Sequence, residues 1–181
     1  MLRDRLPSGA VCGADTVTII VCPLHDVDAI VQLRRPTHII RLLSPKAEQT
    51  LCASPDAQVL DLRFHDIAEP RDTLAAPEEK HIRDLLGFAK PAGDGPLLVH
   101  CWAGVSRSTA AAFIIACQRS APGNEDNIAQ ELRNRAPYAT PNPLIISLAD
   151  AMLDRGGRMI DAAARIGRGQ DTAWGSVFTL P

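Results

Sequence analysis

Short apolar, β-branched runs punctuate the first hundred residues and alternate with stretches whose apolar positions recur at helical spacing. Four runs predict strands: Thr16 to Leu24 (TVTIIVCPL), Thr37 to Leu43 (THIIRLL), Gln58 to Phe64 (QVLDLRF) and Pro96 to His100 (PLLVH). Between the first two, Asp26 to Leu33 predicts a short helix, with Asp26 as its N-cap and Val27, Ile30 and either Leu33 or Val31 facing inward. Further on, Pro77-Glu78-Glu79 sets a proline in a first turn and two acids near the positive end of a helix dipole. Ile82, Leu85, Leu86 and Ala89 follow at i, i+3, i+4 and i+7, the stripe of an amphipathic helix. The run PAGDGP at residues 91–96 reads as a turn into the fourth strand.

Past His100 the pattern is helical to the end of the chain. Ser108 to Arg119 is apolar almost all round, which predicts a buried helix. Asn124 to Arg135 opens on a capping residue and has Ile128, Ala129 and Leu132 to bury. Asn142-Pro143 starts another helix, with Leu144, Ile145, Leu148 and Met152 on one face and Gly156-Gly157 as its stop. Strands alternating with helices predict an α/β domain whose central, mainly parallel sheet of four to five strands is flanked by helices. With 181 residues, one domain spanning 1–181 is expected.

Charge and cysteine usage remove several function classes. A net charge of -2 supplies no basic field, so no nucleic-acid partner is expected. The longest uncharged apolar run, Ala110 to Cys117, falls far short of the roughly 20 residues that a membrane-spanning helix needs. MLRDRLPSGA at the N-terminus lacks the apolar core of a secretory signal. Five cysteines, at positions 12, 22, 52, 101 and 117, are odd in number and form no C-x-x-C pair, which argues against a disulfide framework and a zinc site. His25, His38, His65 and His81 show no metal-ligand spacing. A cytoplasmic protein with no metal, no cofactor and no membrane partner is expected. Sixteen arginines against three lysines, with abundant alanine, resemble the coding habit of a GC-rich bacterial genome.

The chemistry lies where an apolar run is interrupted, at residues 97–116, LLVHCWAGVSRSTAAAFIIA. A Cys, a Gly three places on, an Arg six places on and a following Ser or Thr would arise by chance roughly 0.003 times in a chain of this composition. The segment joins a strand to a buried helix at the carboxyl edge of the sheet, where α/β folds bind ligands. A tight turn into a helix N-terminus aims successive backbone N–H groups at one point, and the helix dipole adds positive potential. Gly104 lets the chain curl closely, and the planar fork of Arg107 can hold two phosphate oxygens at once. The same field favours a thiolate at Cys101 and arms it as a nucleophile.

His100-Cys101-Trp102-Ala103-Gly104-Val105-Ser106-Arg107-Ser108 resembles the signature of the cysteine-dependent protein tyrosine phosphatases, H-C-x-x-G-x-x-R-[S/T], and most closely its dual-specificity branch. The resemblance implies metal-free phosphoryl transfer through a phosphocysteine. Cys101 would be the nucleophile, and the amides of Trp102, Ala103, Gly104, Val105 and Ser106, together with Arg107, would bind the phosphate oxygens. The Ser108 hydroxyl would stabilise the departing thiolate, and His100 would order the loop. It also implies an acid upstream of the loop, on a segment following a strand. LDLRFHDIAEPRD offers Asp61, Asp66 and Asp72; Asp66 falls just past the strand's carboxyl end and is preferred, with Asp72 in reserve. Similar phosphatases carry Pro-Asn before their next-to-last helix, which implies that Asn142 buttresses the phosphate loop. These matches cover about residues 37–155.

The implied substrate is a phosphorylated protein or a small phosphomonoester. Phosphoinositide-specific relatives place lysines inside the loop, and residues 102–106 contain none. Tyr138 is the one tyrosine and stands far from the aromatic clamp position of classical tyrosine-specific enzymes, so a shallow, undiscriminating pocket is expected. Two alternatives remain at this point: a phosphate-binding module without turnover, and another loop-cysteine enzyme of the arsenate reductase or sulfurtransferase type.

Overall fold

The computed structural model of the protein describes residues 18–48, 56–90 and 95–181. Thr16 and Val17 of the first predicted strand, residues 91–94 of the predicted turn, and Cys12 and Cys52 lie outside the described residues. Five strands, β1 (Ile19–Cys22), β2 (His38–Leu43), β3 (Gln58–Arg63), β4 (Leu97–His100) and β5 (Phe178–Leu180), form one sheet in the order β3-β2-β4-β1-β5. β1 to β4 are mutually parallel, and β5 closes the β1 edge antiparallel. The register pairs His100 with both Cys22 and Arg41, so the carboxyl ends of the central strands emerge together.

Among the described residues six α-helices cover the sheet: α1 (Val27–Arg34), α2 (Glu79–Ala89), α3 (Arg107–Arg119), α4 (Glu125–Arg135), α5 (Pro143–Met152) and α6 (Arg158–Ile166). α1 packs on one face, where Val27 and Val31 meet Ile20, Cys22, Ile39 and Leu98. The opposite face carries the larger core, centred on α3, whose residues 107–117 are all buried. Ile82, Leu85, Leu86 and Ala89 of α2 face that core as their spacing predicts. Each large side chain buried there contributes about 1.5–3 kcal/mol.

Of the two positions open on α1, Val31 completes the inner face with Val27, Ile30 packs partly buried against the same cluster, and Leu33 is 76% exposed. Three local expectations are corrected. Asp26 stands at the N-cap of α1 but its side chain caps nothing, because a 3-10 turn over Leu24–Asp26 leads directly into the helix. Likewise Asn124 precedes α4 without a side-chain cap; its Oδ1 accepts from Asn127 Nδ2 instead. On α5 the buried positions are Ile145, Ile146, Ala149 and Asp150, while Met152 is exposed. The stripe is shifted because α5 packs against α2, α3 and α6 together. Asp150 goes inside because its carboxylate accepts from the amides of Gly157 and Met159 and so caps α6.

The chain is also not helical to its end. After α6, residues 167–177 run as an irregular segment and then add β5 to the sheet. Three residues are too few to show a strand period, so this element carried no signal in the sequence.

Candidate active site

Residues 101–106 leave β4 and curl into the N-terminus of α3 at the carboxyl edge of the sheet. Gly104 has φ +73°, and a Cβ there would stand 2.8 Å from the Pro23 nitrogen. Only a glycine lets the loop pass that close to β1.

The orientation of the loop follows from its carbonyls. Trp102 O accepts from Leu24 N (2.9 Å), Ala103 O from Gly175 N (2.8 Å) and Val105 O from Thr140 N (3.0 Å). Ser106 O accepts from Ala110 N (3.0 Å) and Asn142 N (3.4 Å). Thr109 Oγ1 donates to both Val105 O and Ser106 O, at 2.6 and 2.9 Å. In a trans peptide the next N–H points opposite to the carbonyl. Donors outside the loop therefore turn the amides of residues 103, 104, 106 and 107 inward. Gly104 N shows the result, donating to Cys101 Sγ at 3.3 Å.

Cys101 sits at the base of this cup, 2% exposed, with Ser108 Oγ 3.1 Å from its sulfur. Arg107 is buried beside it; its Nη1 donates to Phe64 O (3.1 Å) and Ser44 Oγ (3.4 Å), and its Nε lies 3.7 Å from Asp66 Oδ2. That Nε is buried with no hydrogen-bond partner among the described residues. Asp66 hangs over the loop from the segment after β3, where Oδ1 accepts from Ser106 Oγ (2.7 Å) and Asn142 Nδ2 (2.8 Å). Asp72 lies in the exposed 71–74 turn, and Asp61 is taken by Arg41 and Arg63 at 2.7 and 2.8 Å.

Asn142 holds the Asp66 segment more than it holds the 101–106 loop. Its Nδ2 donates to Asp66 Oδ1 and to Ile67 O (3.1 Å), its Oδ1 caps α5 by accepting from Ile145 N (3.1 Å), and only its backbone N–H reaches Ser106 O. His100 is fully buried; its Nδ1 lies 3.4 Å from Cys101 O, and burial pushes its pKa down to about 4. It is a neutral ring at neutral pH. Burial pushes the Cys22 and Cys117 thiols up to about 12. Cys22 packs with Ile20, Ile39 and Leu98 on the α1 face of the sheet, whereas Cys101 belongs to the α3 face.

The structure thus brings Cys101, Arg107, Ser108, Asp66 and Asn142 together from three segments distant in sequence. It also adds contacts that the motif does not announce: Ser44 on Arg107, the Ser106 hydroxyl as a donor to Asp66, Thr109 as a loop clamp, and Gly175 from the C-terminal segment. Thr109 and Ser106 lie within or beside the signature and were accessible to local reasoning, whereas Ser44 and Gly175 stand far off in the chain. Among the described residues no three or more His, Cys, Asp or Glu are grouped to hold a metal ion, and no helix is long and apolar enough to cross a membrane.

No family model and no curated protein matches the chain. Solved structures do. DUSP15 superposes with a TM-score of 0.58 at 22% identity, over 82% of this chain and 89% of that one. The Yvh1 phosphatase domain from Chaetomium thermophilum gives 0.56 at 18% identity, over 78% and 93%. PTPMT1 in complex with PI(5)P gives 0.55 at 14% identity, over 84% and 97%. The chain has the fold of the dual-specificity phosphatases.

Proposed function

We propose that this chain is a cysteine-dependent phosphomonoesterase of the protein-tyrosine or dual-specificity type, working without a metal through a phosphocysteine at Cys101. One observation carries the reading: four loop carbonyls are held by donors of other segments or of α3, and of the amides that follow them Gly104 N–H donates to the Cys101 sulfur. Inward amides, an α3 N-terminus and a guanidinium make an anion site, and a nucleophile stands at its base. A phosphate-binding module would need neither the cysteine nor an acid beside it.

In the first step the Cys101 thiolate attacks phosphorus in line. The S–P bond forms as the ester P–O bond breaks, and Asp66 gives its proton to the departing oxygen. Arg107 and the amides hold the equatorial oxygens. In the second step Asp66 takes a proton from water as that water attacks phosphorus, and the S–P bond breaks. Ser108 Oγ, 3.1 Å from the sulfur, donates to the thiolate that leaves. The substrate class is a phosphorylated protein or a small phosphomonoester in the cytoplasm. PTPMT1 is a neighbour seen with PI(5)P, but residues 102–106 here offer no lysine to additional phosphates, which favours a single protein-borne phosphate.

The test is turnover of a chromogenic aryl phosphate in the presence of a chelator. Turnover is expected to persist and to be inhibited by vanadate, and Cys101→Ser should lose at least about a thousandfold. Asp66→Asn should lower kcat by about a hundredfold, most with poor leaving groups, and flatten the alkaline limb of the pH profile. Full activity in Cys101→Ser ends the mechanism. The Asp66→Asn signature appearing in Asp72→Asn instead moves the acid and leaves the mechanism standing.

A further inference from the structure

The C-terminal segment that follows α6 is fastened to the phosphate loop. Gly169 N donates to Thr140 Oγ1 (3.1 Å), Gln170 N to Pro137 O (3.0 Å), Gly175 N to Ala103 O (2.8 Å) and Tyr138 Oη to Ser176 O (2.5 Å), before β5 joins the sheet. Gly175 is wedged so tightly that a Cβ would stand 2.8 Å from Gly104 O and 2.6 Å from Tyr138 Cε2. This anchoring delivers Trp174, whose backbone N and O are both held by Thr172 Oγ1. The Trp174 ring lies 6.2 Å from that of Trp102, tilted by 32°, and 5.0 Å edge-on from His25.

Three rings from three separate segments therefore meet at the loop, one of them on the residue that follows Cys101, and the Trp102 and Trp174 indoles remain 50% and 43% exposed. A bound phosphate presents its ester oxygen away from Cys101, because attack is in line. The organic group consequently leaves the loop on its open side, within reach of the side chain at position 102. At 6.2 Å the indoles leave no room for a third ring between them, so a substrate ring would stack on their exposed faces.

We propose that Trp174, set beside Trp102 and His25 by the C-terminal segment, is a specificity-determining residue that favours aryl phosphomonoesters, phosphotyrosine over phosphoserine and phosphothreonine. The proposal rests on the phosphatase reading of the same site. It replaces the shallow, undiscriminating pocket expected from the lack of a nearby tyrosine: the aromatic wall is supplied by tryptophan from the opposite end of the chain.

The test uses the full chain and a matched pair of peptides, one carrying phosphotyrosine and one phosphothreonine. Trp174→Ala is expected to lower kcat/KM for phosphotyrosine about tenfold relative to phosphothreonine, mainly through KM, and Trp174→Phe to restore most of it. A parallel fall on both peptides, or no change in their ratio, overturns the proposal. A second arm measures binding to Cys101→Ser by calorimetry, with phenyl phosphate against methyl phosphate, with and without Trp174→Ala. Loss of the phenyl preference in the double variant supports the aryl subsite; equal affinities in both proteins overturn it. If wild type turns over neither peptide, the phosphatase reading fails, and the binding arm still decides what the tryptophans do.

Discussion

Position 104 requires glycine twice over, once for its left-handed φ of +73° and once because backbone atoms of Cys22 and Pro23 lie 3.1 and 2.8 Å from where a Cβ would be. Neither neighbour is a flexible side chain that can swing aside. Gly104→Ala is expected to cost about 1–3 kcal/mol, read from urea midpoints, and to weaken vanadate inhibition by displacing an amide of the cup. His100 makes a separate prediction about pH. Burial lowers its folded pKa from 6.5 to about 4, so the unfolded chain binds this proton first as the medium is acidified. Its contribution is fully present above pH 6.5 and is lost as the pH falls towards 4 and through it. The full effect is on the order of 3 kcal/mol. Stability measured over that window should slope downward in wild type and flatten in His100→Gln. The sequence made the ring's place in the signature plain, but its neutrality depends on burial between strands, which no local pattern encodes.

At the scale of the elements, the N-terminus of α5 does two jobs with one side chain. Asn142 Oδ1 caps the helix while Nδ2 grips Asp66, and the two functions separate by substitution. Asn142→Ala should lose about 1 kcal/mol in thermal melts and also lower kcat with poor leaving groups. Asn142→Asp restores the cap but sets a second carboxylate against Asp66, so stability should recover while a leaving-group series stays depressed. The elements themselves were largely legible. β2, β3 and β4 begin and end within a residue or so of their apolar runs, and α3 announces itself by being apolar all round. The inner face of α5 was not legible, because a helix packed against several neighbours buries a stripe chosen by all of them, and a buried aspartate that caps α6 looks like a surface residue in sequence.

Across the whole molecule, the 101–106 loop is a junction of distant parts. Leu24 from the turn after β1, Thr140 and Asn142 ahead of α5, and Gly175 from the segment after α6 each hold one of its carbonyls. Gly175→Ala should push the C-terminal segment off the loop, free the Ala103 carbonyl and carry Trp174 away with it, so kcat/KM should fall on both phosphotyrosine and phosphothreonine peptides and most on phosphotyrosine. Trp174→Ala leaves the Ala103 carbonyl tied, so it should change the ratio with little loss on phosphothreonine. Local pattern along the chain carried the α/β alternation, the turn from β4 into α3 and the Cys-x-x-Gly-x-x-Arg spacing, because these depend on backbone conformation and on residues close together in the chain. The partners of that loop were decided only by tertiary structure: which acid reaches it, what ties each carbonyl outward, and which aromatic rings stand at its mouth. Hydrogen bonds and ring contacts between segments far apart in the chain leave no period or spacing behind, so they exist only once the sheet has set those segments side by side.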